Sequence, residues 1–177
     1  HTKRSNAASQ WLPSTLPAED LIETVKQVYG RAGIEPMVRL TPLSSPGTNE
    51  ALEAAGWSFF DPSLVMAAPL GEVTVSQKAN VLLEAEPSEA WVVGAAEAYE
   101  FAPWQRDMLA RIVANIRVDA AFATVSMNGR PVGYGIAVAE RGHVGLYDLA
   151  VMPAARGSGA GTALVAALLA WGRGQGA

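Results

Sequence analysis

The stretch from Leu146 to Leu164, LYDLAVMPAARGSGAGTAL, constrains the fold of this chain more than any other. It opens with apolar residues suited to a strand, breaks at Met152–Pro153, and carries Gly157, Gly159 and Gly161 within five residues. A helix is expected from Thr162. Strand, tight glycine loop and helix in that order make an anion site. Glycine lets the backbone turn sharply and approach a ligand with no Cβ in the way. The first turn of a helix leaves amide N–H groups without intrahelical acceptors, and the helix dipole adds positive potential at the same place. Arg156 adds a full charge beside them. Two nucleotide patterns fail on spacing. No Lys follows the glycines as a G-x-x-x-x-G-K-[ST] phosphate loop needs, and G-x-G-x-G is not the G-x-G-x-x-G of a dinucleotide fold.

The strands before this loop form a meander. Ser88 is expected to cap a helix reaching about Tyr99. A second helix spans Trp104 to Ile116, with Met108, Ile112 and Val113 on one side. Ala121 to Met127 and Pro131 to Glu140 read as strands around Asn128–Gly129, the dipeptide that suits a turn needing φ > 0 at both central residues. Arg141–Gly142 is a second turn, and His143 to Val151 is the third strand. In the final helix Leu164, Val165, Leu168, Leu169 and Trp171 fall within roughly a 160° arc at 100° per residue, the face expected to bury. Ala163, Ala166, Ala167 and Ala170 fill the opposite arc.

The first part is less regular. Asp20 to Arg31 reads as a helix burying Leu21, Val25, Val28 and Tyr29, and Met37 to Leu40 as a short strand. Thr48 or Asn49 caps a short helix through Ala55. Trp57 to Phe60 and Leu64 to Ala68 are expected as strands around Asp61–Pro62–Ser63. Gly71 to Ala79 reads as a connection, which divides the chain into units 1–75 and 76–177.

Composition narrows the chemistry. Half of the 177 residues are apolar, so a core can form. With 13 basic and 17 acidic residues, a net charge of −4 and no block of like charge, neither nucleic acid nor an anionic membrane is an expected partner. There is no cysteine, hence no disulfide, no thiolate-ligated metal and no cysteine nucleophile. His1 and His143 are the only histidines, so no metal site is expected. The run Ala160 to Trp171 is too short to span a bilayer. The expected compartment is the cytoplasm.

Arg156-x-x-Gly159-x-Gly161, set between that strand and that helix, resembles the [Q/R]-x-x-G-x-[G/A] coenzyme A loop of the GNAT superfamily of N-acetyltransferases. The resemblance covers roughly residues 80 to 177. It implies an α/β (α+β) fold of the acyl-CoA N-acyltransferase type, a mixed sheet flanked by helices, with acetyl-CoA as co-substrate. It implies backbone contacts from Leu149, Ala150 and Val151 to the pantetheine arm. The pyrophosphate would take the amides of Gly157, Ser158, Gly159, Ala160 and Gly161, with Arg156 and Thr162 beside them. An amide of Leu149 or Ala150 would stabilise the oxyanion. The implied reaction is direct transfer of acetyl to a primary amine of a small molecule or peptide. A non-catalytic coenzyme-A-binding or interaction module is the alternative, and a homodimer is possible.

Asp148 is the candidate general base, on a strand face expected to include Leu146 and Ala150. A structural, hydrogen-bonded role for Asp148 stands beside that one. His143 is expected in solvent and Ser158 as a loop residue, since no G-x-S-x-G elbow surrounds it. Trp91, Tyr99, Trp104 and Tyr134 are candidates for an acceptor pocket or for the core. In the superfamily a parallel strand, a fourth helix and a last hairpin follow the third helix and supply the thiolate's proton donor. Ala177 precedes all of these, so a truncated second unit is expected. Residues 1 to 70 resemble the degenerate N-terminal unit of two-domain members, without a coenzyme site. The alternative is that residues 37 to 70 complete the second unit's sheet, with Met37–Leu40 parallel to Leu146–Val151.

Overall fold

The computed structural model describes residues 6–10, 17–73 and 80–177. The chain divides into two units, His1–Val65 and Met66–Ala177, so the division falls ahead of the boundary expected at 75/76.

In the first unit, β1 (Ala8–Ser9) pairs parallel with β2 (Val38–Arg39), and α1 (Ala18–Ala32) makes the crossover between them. That pairing gives β2 a partner other than the strand ending at Val151, which pairs in sheet with its preceding hairpin strand. Ile22 and Val25 are the buried residues of α1, whereas Val28, expected inside, is 55% exposed. The helix ends at Gly33, whose φ of 65° suits a left-handed cap. α2 (Thr48–Ala54) starts with Thr48 inside the helix; the preceding Gly47 takes the cap position. Thr48 is buried and donates to the Ser45 carbonyl at 2.8 Å, while the Ser45 amide donates to Gln10 Oε1 at 2.9 Å. Gln10 thus ties the end of β1 to the turn before α2.

The two strands expected in Trp57–Phe60 and Leu64–Ala68 do not form. Leu64, Val65 and Met66 are 91%, 93% and 89% exposed. Their β-propensity acts only with a neighbouring strand to receive the backbone hydrogen bonds and pack the side chains.

The second unit is a four-stranded antiparallel meander, β3 (Asn80–Glu84), β4 (Asp119–Met127), β5 (Arg130–Glu140) and β6 (His143–Val151), in that spatial order. Asn128 and Gly129 take φ of 51° and 73°, and Arg141 and Gly142 take 53° and 73°, so both tight turns form where the dipeptides place them. α3 (Glu89–Ala98) and α4 (Pro103–Val113) lie on one face of the sheet and α5 (Ala160–Gly174) on the other. Strand alternation feeds both cores. Phe122, Tyr134 and Ile136 pack with Trp91, Ala95, Leu109 and Val113, while Ala121, Ala123, Val125 and Ala137 pack with Leu164 and Leu168. Trp91 is fixed in its core by donating Nε1–H to the Ala123 carbonyl at 3.0 Å and by an edge contact with Phe122.

Two helix faces differ from expectation. On α4, Leu109 and Val113 point inward, and Met108 and Ile112 point out. On α5, Leu164 and Leu168 are buried as expected, but so are Ala166 and Ala167, while Val165 and Leu169 are only partly buried. At the end of α5, Arg173 donates to the carbonyls of Leu70 and Val73 and clamps that segment to the helix. No helix among the described residues is long and apolar enough to cross a membrane.

Candidate functional site

The site begins with an irregularity in β6. Tyr134 pairs with Ala150 and Ile136 with Tyr147, so Asp148 and Leu149 together oppose Gly135. This is a β-bulge, and its extra residue, Asp148, has φ of 47°. Aspartate is among the few residues that enter the left-handed region at tolerable cost.

The bulge resets which side chains share a face. Leu146 packs with the α5 core and Ala150 with the α3–α4 core. The uninterrupted alternation expected to set Leu146, Asp148 and Ala150 on one face is therefore wrong, because one inserted residue reverses the alternation beyond it. The negative charge of Asp148 acts on the Tyr99 phenol, which follows α3 and packs against the core containing Ala150. Burial first, and Asp148 second, push Tyr99 up to about 12, so its hydroxyl keeps its proton at neutral pH. Desolvation also raises Asp148 above the usual carboxylate range, which moves it toward the behaviour of a base. The side chain is nevertheless exposed, so that displacement is moderated by solvent. Tyr99 stacks on Phe101 with centroids 4.9 Å apart. The electrostatic influence of Asp148 on Tyr99 spans 49 residues of sequence and has no local signature.

Beyond Val151 the chain turns through Pro153–Ala155 into the glycine loop. The Met152 amide donates to the Val132 carbonyl at 2.9 Å, anchoring the loop to β5. Gly157 has φ of 77°, and Gly159, at the cap of α5, has φ of 90° and ψ of 0°. A Cβ on either would meet no atom within 4 Å, so backbone conformation rather than crowding requires glycine there. Among the described residues, the amides of Gly157, Gly159, Ala160, Gly161 and Thr162 donate to no protein acceptor. α5 begins at Ala160, two residues before the expected Thr162, which brings two more amides to the loop.

Ser158 is the exception among the expected donors. Its amide reaches the Ala155 carbonyl at 3.3 Å, and its hydroxyl lies 2.6 Å from the same carbonyl and 3.2 Å from Met127 Sδ. It braces the loop from within. Arg156 is exposed and donates Nε–H to the Val151 carbonyl at 3.2 Å, which occupies one of the three backbone segments expected to meet the pantetheine arm. β6 ends the sheet order, and among the described residues no strand pairs with it on the side away from β5.

The other candidates separate from this site. Trp91 and Tyr134 belong to the core, and Trp104 is 57% exposed on α4. His143 is exposed at the far end of β6, its Nδ1 2.8 Å from the Arg141 carbonyl. A groove of about 670 Å³ on the outer face of α4 shares no residue with the loop.

The model of the GNAT acetyltransferase family matches residues 83–177, which span β6, the loop and α5. The chain belongs to the GNAT acetyltransferase family. The antiparallel sheet flanked by helices is the corresponding part of the acyltransferase-like fold. A GNAT-family protein from Desulfovibrio desulfuricans is 22% identical, with a TM-score of 0.45 over 55% of this chain and 68% of that one. An acetyltransferase from Trypanosoma brucei is 24% identical, with a TM-score of 0.40 over 55% of this chain and 78% of that one. No curated protein matches the chain.

Proposed function

We propose that the second unit of this GNAT-family chain binds acetyl-CoA and transfers its acetyl group to a primary amine of a small molecule or peptide. The observation that carries the proposal is the set of amides, Gly157 and Gly159 to Thr162, that have no protein acceptor among the described residues and lie in and around the N-terminal turn of α5, where the dipole is positive. A diphosphate supplies the acceptors that geometry lacks. Arg156, exposed beside the loop, adds charge. The open edge of β6 offers backbone groups of Leu149 and Ala150 to an extended amide-containing arm, as an added strand would use them.

The chemistry follows from proton accounting. An alkylamine with pKa near 10 costs roughly 4 kcal/mol to deprotonate at pH 7. Asp148 is the base this site offers. The amine nitrogen attacks the thioester carbonyl carbon, the N–C bond forms and the C–S bond breaks. The ammonium gives one proton to Asp148 before attack, and the second proton that the nitrogen loses as the amide forms balances the one taken up by the departing sulfur. Transfer is direct in a ternary complex, since the chain has no cysteine and Ser158 is bound to its own loop. The first unit is proposed as a degenerate acetyltransferase-like partner. Its parallel β1–α1–β2 arrangement is of the right kind, but no glycine lies between Ser9 and Ala18.

The test is release of free thiol from acetyl-CoA in the presence of a panel of small amines and peptides. Amine-dependent release is the expected result. Saturable binding without release by any acceptor would favour a coenzyme-binding module, and absence of acetyl-CoA binding would overturn the proposal.

A further inference from the structure

α4 presents an apolar row to solvent. Leu109 and Val113 enter the core, and on the outward side Trp104, Met108 and Ile112, spaced four residues apart, form a row that is 57%, 49% and 59% exposed. A second row with the same spacing, Asp107, Arg111 and Asn115, runs beside it, and the groove of about 670 Å³ lies along both. Three large apolar side chains aligned on an exposed helix face are the signature of a surface that becomes covered. Two parallel ridges with a groove between them are also the shape that a second helix fills.

We propose that this face of α4 packs antiparallel against the same face of a second copy of the chain, about a two-fold axis near Leu109. The charges select the occupant. In a two-fold pair with its axis perpendicular to both helices, each row meets its own counterpart in reverse order. Asp107 of each copy then opposes Arg111 of the other, twice over. Trp104 comes alongside Ile112 of the second copy, and the two Met108 side chains meet close to the axis, each about 1.5 Å along it from the centre. A parallel two-fold pair would instead set the Asp107–Arg111–Asn115 row of each copy against the Trp104–Met108–Ile112 row of the other, covering both charges with apolar side chains and no partner of opposite sign. The face is therefore complementary to itself in one orientation only. Within the chain, Asp107 contacts Arg106 at 3.4 Å, an exposed pair that a dimer can exchange for the Arg111 contact at little cost.

One helix face gives less contact than a standard interface of roughly 800 Å² per partner, so the dimer is concentration-dependent. Sedimentation velocity on the 177-residue chain over about three decades of concentration reads it directly. The expected result is a monomer–dimer equilibrium. Arg111→Asp and Asp107→Arg should each weaken it at least about tenfold by opposing like charges, and Met108→Glu should abolish it. Asp107→Arg combined with Arg111→Asp recreates the complementary pairs and should return the dissociation constant to within about threefold of wild type. All three positions are exposed, so melting curves should match wild type and certify folding. A monomer at every concentration, a dimer indifferent to the single charge changes, or a folded double variant that fails to recover would each overturn the proposal.

Discussion

Replacing Gly159 separates the conformational role of the loop from its electrostatic one. Gly159 sits at φ 90° and ψ 0°, and a Cβ there meets no atom within 4 Å. Gly159→Ala therefore carries left-handed strain alone, about 1–2 kcal/mol. That is the expected loss in unfolding free energy by urea titration. If the strained loop relaxes completely, the same energy sets the upper limit on lost acetyl-CoA affinity, roughly 5- to 30-fold. Gly159→Glu carries the same strain, but its carboxylate at a helix N-terminus recovers about 0.3–1 kcal/mol. The glutamate variant should thus be no less stable than the alanine one. Its affinity should fall much further. At about 5 Å and an effective dielectric constant of about 20, each phosphate charge is opposed by about 3 kcal/mol, or a further hundredfold. Calorimetric titration with acetyl-CoA at low and high salt measures this, and salt should narrow the difference. Equal affinity in the two variants would refute the placement of phosphate at this loop.

The β6 bulge and the core beneath α3 give three further outcomes. Asp148→Asn should lower turnover at least about 100-fold with little effect on acetyl-CoA binding, if Asp148 takes the amine proton. The same variant should be more stable than wild type near pH 7. The folded pKa of Asp148 is raised by desolvation, so its favourable contribution is present below the unfolded value of 3.8 and disappears as pH rises through the folded one. Asparagine also tolerates φ of 47°, so urea titrations should show its advantage shrinking on acidification. In α3, a Cβ on Gly94 would lie 2.0 Å from the Tyr134 hydroxyl, and that ring is buried edge-on to Trp91. Helix propensity favours Gly94→Ala by about 1 kcal/mol, but moving a locked ring costs about 1–3 kcal/mol, more given so short a contact. A net loss of at least about 1 kcal/mol is expected, and a stabilised Gly94→Ala would show that the ring retreats freely.

Local chemistry made much of the second unit legible. The turns at Asn128–Gly129 and Arg141–Gly142 form as written, because positive φ is a property of a dipeptide and needs no distant partner. The Ser88 cap of α3 is equally local, its hydroxyl accepting from the Trp91 amide at 3.3 Å. So is the loop from Arg156 to Gly161, where glycine content and the start of a helix suffice to gather amides. The faces were decided elsewhere. Met108, Leu109, Ile112 and Val113 are all apolar, and only the position of α3 and the sheet selects Leu109 and Val113 for the core. Leu64 to Met66 carry strand-forming residues but, among the described residues, pair with no strand.

The bulge at Asp148 shows the division most sharply. Sequence alone named this carboxylate as the candidate base and set it on the strand directly before Leu149, where the expected coenzyme contacts begin. Tertiary pairing with β5 inserted it as an extra residue and reversed the alternation after it, and in the folded chain its charge acts on Tyr99, 49 residues earlier. Backbone preference is written residue by residue, so turns, caps and the glycine loop can be read directly. Register and facing are properties of two chains of atoms in contact, and they exist only once the partner strand and helix are in place.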